Sequence, residues 1–152
     1  MKHVEGKGRE RVRYAVILIG HGSRAVGADD DMERVAGRLR AALGGRIVDV
    51  CRMAHGVPFG EVFERCVGQG AKTVIVIPYF LHFGVHLRQD IPEILWEAAA
   101  KHPEVRLVLG RHLGYDDALA DLVERRISES AVLWDVRDLP EMPIDRRPGE
   151  KG

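Results

Sequence analysis

The sequence predicts an α/β fold in which four βα units in series form a four-stranded parallel sheet flanked by helices. Four apolar runs recur along the chain, and each is followed by a segment with apolar residues at helical spacing. Glycines and prolines separate these units. Continuous apolar runs are typical of parallel strands that are covered on both faces. Parallel strands in one sheet need crossover connections, and these are expected to be right-handed.

The first two units are marked by clear strand ends and helix starts. The first predicted strand covers residues 14–19 and stops at Gly20. The acidic residues 29–31 suit a helix N-terminus, and the apolar residues behind them recur at helical spacing. The second predicted strand covers residues 47–53, and Pro58 is expected at the first position of the helix that follows.

The last two units repeat the pattern. The third predicted strand covers residues 73–81, and its helix is expected to begin at Asp90 and Pro92. The fourth strand covers residues 105–109, and the last helix follows residues 116–117. The first and third strands are the most apolar, which predicts that they are central neighbours in the sheet.

Length and composition predict a single domain over residues 13–136. The chain has 152 residues, of which 45% are hydrophobic, and this is enough to bury one modest core. Periodic apolar residues are absent from both ends. We expect residues 1–12 to be a flexible N-terminal extension and residues 137–152 to be a flexible C-terminal tail.

The charge balance favours a small-molecule partner. Twenty-three basic residues balance 23 acidic ones, which argues against nucleic acid or an anionic membrane as the partner. No apolar run approaches the roughly 18 residues of a membrane span, and the charged N-terminus resembles no secretory leader, so a cytoplasmic location is expected. Cys51 and Cys66 lack the paired spacing of a zinc site and are expected to be buried free thiols.

Histidines cluster where the predicted strands end. In parallel sheets, ligands bind beyond the carboxyl ends of the strands. Five of the seven histidines fall at these ends: His21 after the first strand, His55 after the second, His82 and His86 after the third, and His112 after the fourth. Imidazole suits cobalt, nickel, iron, copper and zinc, so a metal site is predicted there, with the metal left open. If the first and third strands are neighbours, His21 and His86 converge.

Glycines and arginines near the same edge suggest the shape of the ligand. Gly20, Gly22 and Gly84 lack side chains, which would let a broad, flat molecule approach the backbone. Guanidinium groups suit carboxylates. Four arginines lie near the edge in sequence: Arg24, Arg52, Arg88 and Arg111. A flat polycarboxylate would fit such an edge.

Two motifs carry a family resemblance. The chain reads GHGSR at residues 20–24 and PYFLHFGVHLRQDIP at residues 78–92. Together they resemble the short-form CbiX-type sirohydrochlorin cobaltochelatases of the class II chelatase family, over about residues 14–127. The resemblance implies insertion of a divalent metal ion into sirohydrochlorin in cobalamin or sirohaem biosynthesis. Cobalt is the first expectation, nickel and iron are the alternatives, and no organic cofactor is expected.

The resemblance also implies roles for individual residues. His21 and His86 would be both the catalytic residues and the metal ligands. Seven further residues lie close to the predicted strand ends and are therefore expected to contact the substrate: Gly22, Ser23, Arg24, His55, His82, Gly84 and Arg88. Relatives commonly carry an acidic residue at the end of the second strand, where this chain has Arg52 to His55. His55 is a candidate to replace that residue.

Two other functions share some of these features. A histidine phosphohydrolase would place arginine before His-Gly, whereas this chain has Gly20. A non-catalytic metal-binding, storage or sensing protein would use the same histidines, and it stays the alternative function. For the chelatase we expect a homodimer with a shared cleft, because one sheet edge offers only one wall to a sirohydrochlorin-sized ligand and two-fold dimers are the commonest assembly.

Overall fold

The computed structural model describes residues 14–25, 27, 30–133 and 135–138, with Asp30 and His86 described by their backbone alone. Strands and helices alternate as the sequence predicts. The strands are β1 (Tyr14–Gly20), β2 (Ile47–Arg52), β3 (Thr73–Pro78) and β4 (Arg106–Leu109); the helices are α1 (Asp30–Ala42), α2 (Phe59–Gly68), α3 (Val85–Lys101) and α4 (Asp117–Ser130), and a 3-10 helix covers Val136–Asp138. Within this described part, no helix combines the length and apolar character needed to cross a bilayer.

The four strands form one parallel sheet in the order β2-β1-β3-β4. This order confirms that β1 and β3 are central neighbours. Near the carboxyl end of β1, Gly20 pairs with Arg52 of β2, and Ile19 pairs with Pro78 of β3. The carboxyl ends of three strands therefore lie side by side, and the loops that carry the histidines begin at this common edge, which we call the rim.

The central strand β1 is buried on both faces of the sheet. Ala15, Ile17 and Ile19 pack in a cluster with apolar residues of α2 and α3. Val16 and Leu18 point the other way and pack with apolar residues of α1. Burying both faces of one strand removes a large apolar area from water, at roughly 25 cal/mol per Å². This two-sided burial explains why the first strand reads as a continuous apolar run.

Helix α3 begins earlier than the sequence predicted. Asp90 and Pro92 were expected to start it, but it begins at Val85, with Gly84 as its N-cap and Pro92 inside it. Proline has no backbone N–H, so Pro92 removes one helical hydrogen bond. Ile91 beside it is fully buried in the core, and this packing holds the helix together across the proline. The predicted helix start at Asp90 would leave His86 in the preceding loop, and this is wrong, because His86 lies in the first turn of α3.

Smaller differences occur at other element ends. Strand β3 ends at Pro78, three residues before the predicted end at Leu81. Pro58 was expected as the first helical residue of α2, and it is the N-cap instead. Proline is tolerated at both positions because its missing N–H is not needed there.

The chain divides into two compact units between Gly114 and Tyr115. The first unit contains the sheet and α1 to α3. The second contains α4, whose N-cap Asp116 accepts a hydrogen bond of 2.9 Å from the backbone N–H of Ala118. The single domain over 13–136 and the flexible segments 1–12 and 137–152 stay predictions. Most residues of these two segments lie outside the described ranges.

A histidine links α2 to the end of α3 at the amino side of the sheet. His102 Nε2 lies 2.8 Å from Glu64 Oε1, and its Nδ1 lies 3.0 Å from Glu104 Oε1. The edge of the ring also packs on Phe63, with ring centroids 5.6 Å apart. The hydrogen bond with Glu64 raises the pKa of His102, and the bond with Glu104 adds to this effect.

This link predicts a pH-dependent contribution to stability. A raised pKa in the folded state stabilises the protein fully below the ordinary histidine pKa, and the effect is lost as pH rises through the raised value. We expect His102→Gln to lower the Tm more at pH 6 than at pH 9, and thermal melts of both proteins at the two values measure this. If the difference in Tm between the two proteins were the same at both pH values, the pH-dependent contribution of His102 to stability would be contradicted.

Candidate functional site

The rim begins with His21, which directly follows β1 and is exposed. The backbone of this loop is hydrogen-bonded to the loop after β2. The N–H of Met53 donates to the carbonyl of Gly20 at 2.9 Å, and the N–H of Ala54 donates to the carbonyl of His21 at 3.0 Å. The pairing of the two strands therefore continues past their ends, and it holds the loops of His21 and His55 against each other.

His55 has an unusual backbone conformation for a histidine. Its φ is 53°, and among the described residues no other non-glycine residue has a positive φ. This left-handed conformation costs about 1 kcal/mol or more for a residue with a side chain, and such strain occurs most often at functional sites. Arg24 Nε lies 3.3 Å from His55 Nε2 and 3.5 Å from Nδ1. The structure therefore brings together two residues that the sequence assigned to the substrate site.

The loop after β3 supplies the next part of the rim. His82 is exposed, and Gly84 caps α3. Arg88 Nε donates a 2.9 Å hydrogen bond to the carbonyl of Phe83, which attaches this exposed side chain to the loop. His86 follows in the first turn of α3, and because its backbone alone is described, its convergence with His21 stays a prediction.

Aromatic rings support the histidines at the rim. The ring of His21 lies edge-on to Phe80, with centroids 6.4 Å apart. After β4, His112 stacks on Phe83 with centroids 5.2 Å apart and an angle of 18° between the rings. The sequence did not predict these contacts, because each pair joins two residues that are far apart in the chain.

The glycines of the rim serve different purposes. A Cβ at Gly20 would lie 2.9 Å from Met32 Cε, and a Cβ at Gly22 would lie 1.7 Å from the carbonyl oxygen of Ala54. Gly22 also has a φ of 94°, which favours glycine. The packing of the two loops therefore requires glycine at position 22, whereas Gly20 makes room for the end of the Met32 side chain of α1. The sequence had connected both glycines only with ligand access. At Gly84 an added Cβ would meet nothing within 4 Å, so the surface there is open.

Two other rim residues contribute to the fold. Ser23 Oγ accepts a 3.1 Å hydrogen bond from the N–H of Ala25 and so stabilises the turn. Arg52 is only 8% exposed, and its Nη1 donates a 3.3 Å hydrogen bond to the carbonyl of Cys51. Arg52 is thus buried, unlike the exposed Arg24, Arg88 and Arg111. It cannot act as a surface clamp for carboxylates.

The cysteines are buried free thiols, as predicted. Burial raises the pKa of Cys51 to about 12 and that of Cys66 to about 11. Both thiols stay protonated near neutral pH, whereas metal binding needs the thiolate. Among the side chains that the structure describes, no group of three or more histidine, cysteine, aspartate or glutamate residues could hold a metal ion. A metal held at the rim by the described side chains alone would therefore have fewer than three such ligands.

A parallel four-stranded sheet with histidine loops along its carboxyl edge defines a chelatase-like α/β protein, and comparison with known proteins agrees. The family model described as CbiX matches residues 15–130. This chain belongs to the CbiX family. A solved structure of a CbiX protein from Marinobacter aquaeolei has the same fold, with a TM-score of 0.67 and 24% identity over 78% of this chain and 97% of that one.

Relatives with curated names include chelatases for two metals. A sirohydrochlorin ferrochelatase of Priestia megaterium is 31% identical over 78% of this chain and 45% of its own length. A sirohydrochlorin cobaltochelatase of Methanococcoides burtonii is 29% identical over 77% of this chain and 96% of its own length. The sirohydrochlorin chelatase SirB of Bacillus subtilis, solved with cobalt, has a TM-score of 0.72 and 27% identity over 77% of this chain and 50% of that one. The chain thus spans about half the length of several relatives that it matches.

Proposed function

We propose that this protein inserts a divalent metal ion into sirohydrochlorin, with cobalt as the metal and nickel or iron as the alternatives. The observation that carries the proposal is the exposed His21 at the end of the central strand, in a loop bonded to that of His55. Membership of the CbiX family supports the substrate, because relatives are named sirohydrochlorin ferrochelatase and sirohydrochlorin cobaltochelatase.

In this reaction His21 and His86 hold the metal ion and keep coordination positions open for the pyrrole nitrogens. Two pyrrole N–H groups lose their protons as the metal enters the ring. As the ion passes to the ring, the imidazole nitrogens of His21 and His86 that held it become free, and each can accept one of these two protons. A positioned base typically contributes about 10²- to 10⁴-fold to a rate. A site with few protein ligands would hold the ion weakly, which favours its transfer to the macrocycle.

The remaining rim residues would position the macrocycle. Arg24, in the loop after β1, and Arg88, near the start of α3, are both exposed and would bind carboxylates of the substrate. The open surface at Gly84 would let the flat ring approach the start of α3. His55 and His82 would contact the edge of the macrocycle. Gly22 and Ser23 would contact the macrocycle through the backbone of their turn.

Titration with metal-free sirohydrochlorin tests this function against metal storage. A chelatase must bind the macrocycle, so we expect saturable changes in the sirohydrochlorin absorbance, weakened about tenfold or more by a combined Arg24→Gln and Arg88→Gln replacement. The combined variant should bind Co²⁺ as the wild type does. A protein that binds Co²⁺ but no macrocycle would be the non-catalytic metal-binding protein.

We also propose that the working form is a homodimer. The match covers 77% of this chain but only 50% of the SirB chain, so that chain is longer, and two copies of this protein would supply at least as much chain around the substrate. Light scattering at micromolar concentration, with and without Co²⁺, should give twice the chain mass of 17.0 kDa. A mass near 17.0 kDa in both conditions, with metal insertion retained, would contradict the dimer.

A further inference from the structure

His112 follows β4 at the rim, and the roles given above to individual metal ligands and substrate contacts do not include it. Its side chain is half-buried, whereas His21, His55 and His82 are exposed. The imidazole stacks on Phe83, with ring centroids 5.2 Å apart and an angle of 18° between the rings. This contact joins the loop after β4 to the loop after β3, and it distinguishes His112 from the exposed histidines of the rim.

The backbone of Gly114 lies next to the same imidazole and links the same two loops. A Cβ at Gly114 would lie 3.0 Å from Nε2 of His112 and 3.4 Å from its Cδ2. Gly114 has a φ of 55°, which favours glycine. Its N–H donates a 3.3 Å hydrogen bond to the carbonyl of Phe80. The loop that carries His112 is therefore attached to the loop of Phe83 by its backbone as well as by the stacked rings.

Phe83 connects this contact to the start of α3. Its ring also packs on the core cluster, and its carbonyl accepts a 2.9 Å hydrogen bond from Arg88 Nε. The next residue, Gly84, is the N-cap of α3, and its carbonyl accepts a 3.0 Å hydrogen bond from the N–H of Arg88, which closes the first turn. His82 precedes this junction in sequence and His86 follows it. The position of Phe83 therefore affects both parts of the rim.

We propose that His112 is a positioning residue, whose ring stacks on Phe83 and holds the loop of His82 and the first turn of α3 in place. The inference rests on the proposed function for the identity of the site. Aromatic pairs of this kind stabilise by more than the area they bury, by an amount equal to roughly two- to tenfold in an equilibrium. In this role His112 touches neither metal nor substrate, so its aromatic face matters and its nitrogen atoms do not.

Hydrogen exchange of the metal-free protein tests the contact directly. The exchange rate of the Arg88 amide reports opening of the first turn of α3, because this N–H bonds to the carbonyl of Gly84. We expect His112→Ala to raise the rate about three- to tenfold. His112→Phe keeps an aromatic face on Phe83 and should stay within about twofold of the wild type. Phe83→Leu keeps an apolar side chain without the ring, and it should resemble His112→Ala.

Co²⁺ binding by the same variants tests whether this order reaches the proposed metal site. His112→Ala should weaken Co²⁺ binding about three- to tenfold, because binding must then also order the first turn of α3. His112→Phe should bind Co²⁺ within about twofold of the wild type. The visible spectrum of its saturated Co²⁺ complex should match that of the wild type, because no metal ligand is lost.

A double variant and a matched control complete the test. Combining His112→Ala with Phe83→Leu should be little worse than either change alone, because both remove the same contact. His102→Gln is the control, since His102 also packs on a phenylalanine, Phe63, but at the amino side of the sheet. It should change neither the exchange rate of the Arg88 amide nor the affinity for Co²⁺.

Three results would overturn the proposal. They are an unchanged Arg88 exchange rate in His112→Ala, losses in His112→Phe as large as those in His112→Ala, and full additivity in the double variant. Faster exchange with unchanged Co²⁺ binding would show a purely structural contact, which also contradicts it. A wild type that binds no Co²⁺ would contradict the proposed function, and the exchange rates would still decide whether His112 holds the loop.

Discussion

Replacing His21 with alanine should abolish metal insertion and leave the fold intact. The imidazole is exposed and belongs to neither core cluster, so the change removes the proposed metal ligand without opening a cavity. We expect the insertion rate to fall by about 100-fold or more. The Tm should change by only about 2 °C, as for most surface substitutions. The same loss is expected for His86→Ala.

The matched control for these variants is His102→Gln. His102 lies at the amino side of the sheet, before β4, and is bonded to Glu64 and Glu104. Its replacement should lower stability in the pH-dependent way described above and keep the insertion rate. Near-normal insertion by His21→Ala or His86→Ala would show that the two-histidine assignment is wrong.

The second large effect is expected for Gly22→Ala. The new Cβ would lie 1.7 Å from the carbonyl oxygen of Ala54, and φ at this position is 94°. The loops of His21 and His55 must then separate. We expect a loss of at least about 1 kcal/mol in the free energy of unfolding, measured by urea denaturation. Metal insertion should fall with it, because the separation displaces His21.

Gly37→Ala is the control for the glycine substitution. Gly37 is an exposed residue inside α1, and an added Cβ there meets nothing within 4 Å. Alanine in a helix interior is more stable than glycine by roughly 0.5–1 kcal/mol, so this variant should gain stability. If Gly22→Ala were as stable as Gly37→Ala, the close packing of the two rim loops would be disproved.

The sequence predicted the sheet well because its signal is local. Strand β1 is buried on both faces, so nearly every residue from Ala15 to Ile19 is apolar and the run is readable without the structure. The same property placed β1 and β3 at the centre. Once the strand ends were known, the geometry of parallel sheets placed His21 and His55 at one edge.

The features that the sequence did not predict depend on contacts between distant residues. Nothing near Gly22 in sequence indicates that Ala54 would occupy its open side. The early start of α3 depends on Ile91 entering the core, which overrides the usual place of Pro92 in a helix. Arginine is rarely buried, so the burial of Arg52 could not be expected from its residue type.

The most direct test of metal insertion is an absorbance assay with purified protein, sirohydrochlorin, and Co²⁺, Ni²⁺ or Fe²⁺ in parallel reactions. Each reaction is compared with one that lacks the protein and with one that contains His21→Ala. We predict that the wild type accelerates conversion of metal-free sirohydrochlorin, with Co²⁺ fastest, and that His21→Ala does not. Conversion at the protein-free rate with all three metals, under conditions where the protein binds both metal and macrocycle, would contradict the proposed function.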